Sequence, residues 1–362
     1  MKLNGIMDLP LHSGKAPQWL MQRMKKLARE IGKSIIELYN EKKFMDLISD
    51  PLWFQSLGNV LGFDWHSSGL TTTVVAALKS INNLDYEVKI AGGKGKAKEI
   101  PKEIEMLSEK NNADAERIKY YSKIAAKVDN ALVQDNYNIY VHGIFFTKKY
   151  WVVVQQGMKE SYARRYHWQS FSKPLKITIE PHQGVVDKKS DIILDLTSKN
   201  NEIHQDVSVD LIKDNPKHLF KYFKPKDLKQ RTLIDFQYYK MPSHHYISSI
   251  DLDKRTKQAL MNAYEVQPKN YEELIGIKGI GKKALRALAL VSELITAKPL
   301  EYRNPVKYSF AHGGKDGTPF PVNRRIYDNT IRTLKEIIEN AKLDNKDKER
   351  IFVRLSKITK LY

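Results

Sequence analysis

NIYVHGIFFT (138–147) and KKYWVVVQQ (148–156) decide the fold. Both runs are dense in aromatic and β-branched residues, which suit a pleated and half-buried surface, and a short polar turn joins them. They predict a β-hairpin with its tip near 147–149. The chain then leaves the second strand through GMKESYARRYHW (157–168). Gln155, Gln156, Arg164, Arg165 and His167 are residue types that engage planar, hydrogen-bonding partners, whereas a solvated face normally scatters Lys and Glu. The stretch from Gln155 to Trp168 is therefore expected to form one wall of a nucleic-acid site, with Arg164 and Arg165 on phosphate.

Upstream of the hairpin, Leu20, Met24, Leu27, Ile31, Ile35 and Leu38 recur at helical spacing, which predicts one long or two shorter helices over 17–48. TTTVVAALKSI (71–81) predicts another, entered through DWHSSG (64–69). Three glycines interrupt AGGKGKAK (91–98), so a basic loop is expected there, followed by helix to about Asn130. LKITIEP (175–181) and DIILDLT (191–197) are strand-like. Beyond about Asn201 helical segments take over. The fold class expected is α+β, with a mixed α/β region over 1–200, a linker over 201–234 and an all-α unit over 235–362.

The chain has 362 residues, of which 41% are hydrophobic, enough for two or three packed domains. Its 61 basic residues outnumber 42 acidic ones, a net charge of +19 that favours polyanionic partners, and nucleic acid above all. Cysteine is absent, which excludes disulfides, thiolate metal sites and a cysteine nucleophile. The N-terminal stretch has no apolar run of signal-peptide length, and no window reaches the ~18 apolar residues of a membrane helix. A cytoplasmic protein is expected.

YEELIGIKGIGKKALRALALVSELI (271–295) carries the strongest local signal. It resembles a helix-hairpin-helix motif, with the apolar pair Leu274 and Ile275, the turn Gly279-Ile280-Gly281, basic Lys282 and Lys283, and small Ala284 opening the second helix. Glycines let such a turn approach a phosphate, and the following helix presents backbone N–H groups with its positive dipole end. Contacts of this kind grip DNA without reading its sequence. Some DNA glycosylases place a catalytic aspartate after the second helix; here TAKPLEYRNPVKY (296–308) offers Glu301 and Asn304 but no aspartate. The loop FAHGGKDG (310–317), with Lys315, is a candidate second phosphate contact or a tight turn.

Polar clusters in the first half stand outside periodic patterns: His12 with Lys15, Asp64 with His66, Lys94 with Lys96, Asp129 with Asp135, and His142. Three chemistries fit this inventory. Metal-assisted phosphodiester hydrolysis would draw on the acids Asp64, Asp129 and Asp135, with Asp129 and Asp135 as the expected ligands for Mg²⁺ or Mn²⁺. Metal-free acid–base chemistry would use His12, His66, His142 or His167. Base recognition would use Gln155 and Gln156, with Tyr166 or Trp168 stacking on an extruded base. Spacing does not rank them. The expected catalytic set is His12, His66, Asp129, Asp135, His142 and Gln156. The expected nucleic-acid contacts are Lys15, Lys94, Lys96, Arg164, Arg165, Gly279, Gly281, Lys282, Lys283 and Lys315.

HSGKAPQWL, GFDWHSSG, AGGKGK, KVDNALVQD, VVVQQGM, ARRYHW and FAHGGKDG together resemble one family, the domain of unknown function 763, over almost the whole chain. The resemblance implies an archaeal and intracellular source, and implies that the N-terminal clusters and the hairpin form one functional unit. It assigns no activity. Expected functions are a nuclease of DNA repair or recombination, a base-excision glycosylase, or a non-catalytic DNA-binding module.

Overall fold

A computed structural model describes residues 18–63, 69–160, 162–171, 176–187, 192–218, 253–305 and 324–359. The chain opens with helices α1 (Gln18–Leu38), α2 (Glu41–Ser49), α3 (Pro51–Val60) and α4 (Gly69–Leu78). Their breaks are set by side-chain caps. Asn40 accepts from the Lys43 N–H at 2.8 Å, and Asp50 accepts from Leu52 and Trp53 at 2.7 and 3.0 Å, with Pro51 placed where its missing N–H costs nothing.

Strand β1 (Lys89–Lys94) follows, then α5 (Ile100–Asn111) and α6 (Ala115–Ala131), the latter capped by Asp114 on the Arg117 N–H at 3.0 Å. Strands β2 (Asn138–Phe146) and β3 (Trp151–Lys159) form the expected hairpin, closed by a bond from the Thr147 N–H to the Tyr150 carbonyl at 2.9 Å. With β4 (Tyr162–Gln169) and β5 (His182–Val186) they complete an antiparallel sheet in the order β1-β2-β3-β4-β5.

Three expectations are corrected here. AGGKGKAK does not begin as a loop, because Ala91–Lys94 is the end of edge strand β1, paired with Val141–Ile144. Gly92 and Gly93 take φ of +99° and +135°, and a Cβ on Gly92 would lie 2.1 Å from the His142 carbonyl oxygen. These glycines admit a close strand contact instead of breaking one. Residues 162–169 are a full strand inside the sheet, not a segment leaving it. The described part of LKITIEP, from Lys176, makes turns, and DIILDLT supplies only β6 (Ile193–Leu194).

Helices cover both faces of the sheet. Val152, Val154, Phe145 and Ala163 point into one core with α1–α4 and two C-terminal helices, α11 (Arg324–Asn340) and α12 (Asn345–Thr359). Trp151, Val153, Ile144 and Trp168 point into a second core with α5, α6, α7 (Glu202–Lys213), α8 (Lys254–Val266), α9 (Tyr271–Gly276) and α10 (Lys282–Thr296). Strand alternation thus distributes one set of residues between two buried layers, so both faces of the strands read as apolar. The described residues after 235 are divided between the two cores: α8–α10 join one layer and α11–α12 the other. Strand β7 (Tyr302–Arg303) pairs with β6, and Arg303 donates to Asp195 at 2.7 Å, fastening the end of α10 to the middle of the chain. Among the described residues no helix is long and apolar enough to cross a membrane.

Candidate functional site

Gln155 and Gln156 are neighbours on β3 and therefore face opposite layers. Each enters a separate buried polar network. On the α6 side, Gln155 donates through Nε2 to the Ala125 carbonyl at 3.0 Å and to the Asp129 carboxylate, and its Oε1 meets His142 Nδ1 at 2.7 Å. His142 Nε2 meets Ser122 Oγ at 2.9 Å. Asp129 also accepts from Trp168 Nε1 at 2.9 Å and pairs with His182 Nε2. Next to this group, Asp135 accepts from Arg164 Nη1 at 2.8 Å, from the Tyr166 hydroxyl at 2.6 Å and from the Tyr137 N–H at 2.9 Å. Arg164 Nε reaches Asp187 at 2.8 Å, and its guanidinium lies 4.6 Å over the Tyr137 ring. Burial opposes the Arg164 charge, but Asp135 and Asp187 outweigh it and hold the guanidinium above its ordinary value.

On the α3–α4 side, Gln156 accepts from Thr71 at 2.5 Å and donates to the Tyr140 hydroxyl at 2.5 Å. Arg165 donates from Nε to His167 Nε2 and from Nη1 to Gln55 Oε1, both at 2.9 Å, with its guanidinium 5.0 Å over Phe54. No carboxylate occurs among its described partners, and burial pushes it down to about 9.

These positions correct the expected wall. Arg164 and Arg165 are 1% and 0% exposed and are bonded to the protein's own groups, so neither guanidinium is presented to a phosphate. The two glutamines cannot hold one base between them, and Tyr166 and Trp168 lie beneath the sheet with their polar atoms on aspartates. Asp129 and Asp135 act as acceptors for fixed donors, and among the described residues no group of three His, Asp or Glu side chains is placed to hold a metal ion. His12, Lys15, His66 and Lys315 lie outside the described residues.

His142 is different, because it reaches an open space. A cleft of about 920 Å³ runs between α5, α6, the start of β2 and the turn before α10. Its walls carry His142, Ser122, Asn130 and Tyr120, four lysines (Lys119, Lys123, Lys127 and Lys282), one acid (Glu116), and Ile280 and Gly281 of the turn. Gly279 takes φ +96°, which a side chain disfavours, and Gly281 enters α10 in extended conformation without a side-chain cap. Leu274, Ile275, Ile280 and Ala284 are buried and fix the hairpin to the core. Lys127 donates to the Ile277 and Ile280 carbonyls at 3.1 and 2.7 Å, and Gln134 donates to the Lys282 carbonyl at 3.0 Å, so α6 and the segment just after it hold the turn in place. Lys119 is engaged by Glu105 and Glu116, whereas Lys123 and Lys282 form no ion pair among the described residues. Lys283 points away, to Asp253 at 3.0 Å. Lys94 lies over Tyr140 and Lys96 pairs with Glu99, on the exposed segment whose Ala97 reaches the cleft rim.

Sequence reasoning missed Ser122, His182 and Asp187. Ser122 carried a readable signal: Ser122, Ala125 and Asp129 share one face of α6 at i, i+3 and i+7, where an apolar stripe would otherwise be expected.

His142, His167 and His204 are all held below the ordinary histidine value by burial, with repulsion from Arg165 added at His167 and from Lys298 at His204. Unfolded, they titrate near ~6.5. Below that pH the unfolded chain binds more protons, so each contributes stability present above ~6.5 and lost as the pH falls, by up to about 1.4 kcal/mol per pH unit. The thermal midpoint is expected to drop between pH ~7 and ~5.5; a midpoint that rises over this interval would contradict the neutral buried rings.

The family model described as protein of unknown function (DUF763) matches residues 5–322, and the chain belongs to that family. No curated protein and no solved structure matches it.

Proposed function

We propose that this protein binds and processes DNA, and that the cleft beneath the α9–α10 hairpin holds the sugar-phosphate backbone. The observation that carries this reading is convergence. The glycine turn, Lys282 at the first position of α10, and Lys123 of α6 border the same cleft as His142. The turn resembles a helix-hairpin-helix, whose exposed N–H groups and dipole favour phosphate oxygens. Contacts to phosphate give affinity without sequence preference and with strong salt dependence. Among the expected catalytic residues that are described, His142 alone borders the cleft, which favours phosphodiester cleavage with His142 as acid–base over base excision. Tyr166 and Trp168, the expected stacking partners of a base, serve the buried network and do not line the cleft.

The test is fluorescence anisotropy of the full chain with labelled single-stranded and duplex DNA, over a range of salt. Reversing both unpaired charges, Lys123→Glu with Lys282→Glu, is expected to weaken binding about tenfold or more near ~0.1 M salt and to flatten the salt slope by about two counterions. Unchanged affinity with an unchanged slope would remove the cleft from the binding surface. Cleavage of the same DNA, read on a denaturing gel, separates a nuclease from a binding module.

A further inference from the structure

Four side chains link the cleft to the interior in one unbroken line. Ser122 Oγ lies 2.9 Å from His142 Nε2, His142 Nδ1 lies 2.7 Å from Gln155 Oε1, and Gln155 Nε2 donates to Asp129. Proton positions along this line follow from the donors. Both hydrogens of the Gln155 amide are committed, to the Ala125 carbonyl and the Asp129 carboxylate, so its oxygen faces His142 and can only accept. His142 must therefore carry its proton on Nδ1, leaving a lone pair on Nε2. The partner at Nε2 is the Ser122 hydroxyl, which must donate.

From this geometry we infer that Ser122 is a nucleophile, with His142 as its general base and Gln155, held by Asp129, as the positioning residue that fixes the imidazole. The arrangement has the logic of hydrolytic triads, in which a nucleophile is bonded to a base that a third group orients. A serine inside a helix more often turns back to the carbonyl four residues earlier; this one points out of α6 to a histidine on a strand. Ser122 and His142 both border the lysine-lined cleft. That surrounding charge selects a phosphodiester as the substrate class, so the inference rests on the DNA-backbone reading of the cleft.

The chemistry balances without a co-reactant other than water. As Ser122 Oγ bonds to phosphorus, its proton moves to His142 Nε2. The P–O bond to the leaving nucleoside breaks, and the departing oxygen takes that proton from His142. Water then gives a proton to the same nitrogen as it attacks the phosphoserine, and Ser122 recovers it. The net reaction converts a diester and water into a monoester and an alcohol.

The experiment treats the full chain with a biotinylated fluorophosphonate, which labels activated serines whatever their natural substrate, followed by peptide mapping. Labelling is expected on Ser122, lost in Ser122→Ala and slowed about a hundredfold in His142→Gln. A second variant guards against misfolding of the first two. The protein contains no cysteine, so the introduced thiol of Ser122→Cys is the one thiol available to iodoacetamide, and near pH ~7 it should react about tenfold faster than free cysteine. Absence of labelling at Ser122, together with no acceleration in Ser122→Cys, would overturn the nucleophile. DNA affinity is read separately by anisotropy: labelling without affinity sustains the nucleophile and rejects the DNA cleft, and affinity without labelling or thiol acceleration does the reverse.

Discussion

Arg164→Met is expected to lower the free energy of unfolding by about 3–5 kcal/mol, measured by urea denaturation of the full chain. Arg164 is fully buried between Asp135 and Asp187, at 2.8 Å from each, and its guanidinium contacts both carboxylates. Methionine fills comparable space but leaves two carboxylates in the interior without the guanidinium that both of them contact. That penalty exceeds the worth of the pair itself, because the cost of desolvating each carboxylate remains after its partner has gone. A phosphate-binding arginine would behave in the opposite way, losing DNA affinity while the fold stayed intact. A cost below about 1 kcal/mol combined with weakened binding would return Arg164 to the surface role suggested by its sequence context.

The second large effect is expected at Asp129. Asp129→Asn keeps the shape but sets an amide among donors: Trp168 Nε1, the Gln155 amide and His182 all converge on this side chain. Trp168 and Gln155 keep a neutral acceptor only if the new NH₂ group turns to His182, whose ring must then accept, and the charge that strengthened these bonds is gone. Hydrogen bonds to a charged group are worth about 1.5–3 kcal/mol against about 1 for neutral ones, so a total near ~1–3 kcal/mol is expected, read as a lower thermal midpoint. The Gln155 amide then rests on a weaker anchor, and with it the His142 tautomer. If Asp129 were instead a ligand of Mg²⁺ or Mn²⁺, the variant would remain as stable as the parent and lose only metal-dependent cleavage.

The two halves of the molecule differ in how far they could be read in advance. The β2–β3 hairpin was legible because its strands carry apolar residues toward both layers and the polar turn between them is short. Strand β4 was not, since YARRYHWQ spends its inward positions on Arg164, Arg165 and His167. Arginine is almost never fully buried unless paired, and the carboxylates and amides contributed by other elements make the burial of Arg164 and Arg165 tolerable. Long-range partners of this kind leave no mark at β4 itself. The site divides in the same way. The turn at Gly279–Gly281 was visible from its local spacing, and His142 stood out as a candidate, but its partner Ser122 lies twenty residues away on a helix face. Asp129 and Asp135 attracted a metal role because acids in a basic chain suggest cation binding, whereas they answer the buried donors of β3, β4 and β5.

The most direct test of the central claim is photochemical cross-linking of the full chain to DNA containing 5-iododeoxyuridine, with the adducts located by mass spectrometry. Backbone binding in the cleft predicts adducts on Tyr120 and on peptides that carry Lys123 and Lys282. Adducts confined to α11 and α12, on the opposite layer of the sheet, would contradict it.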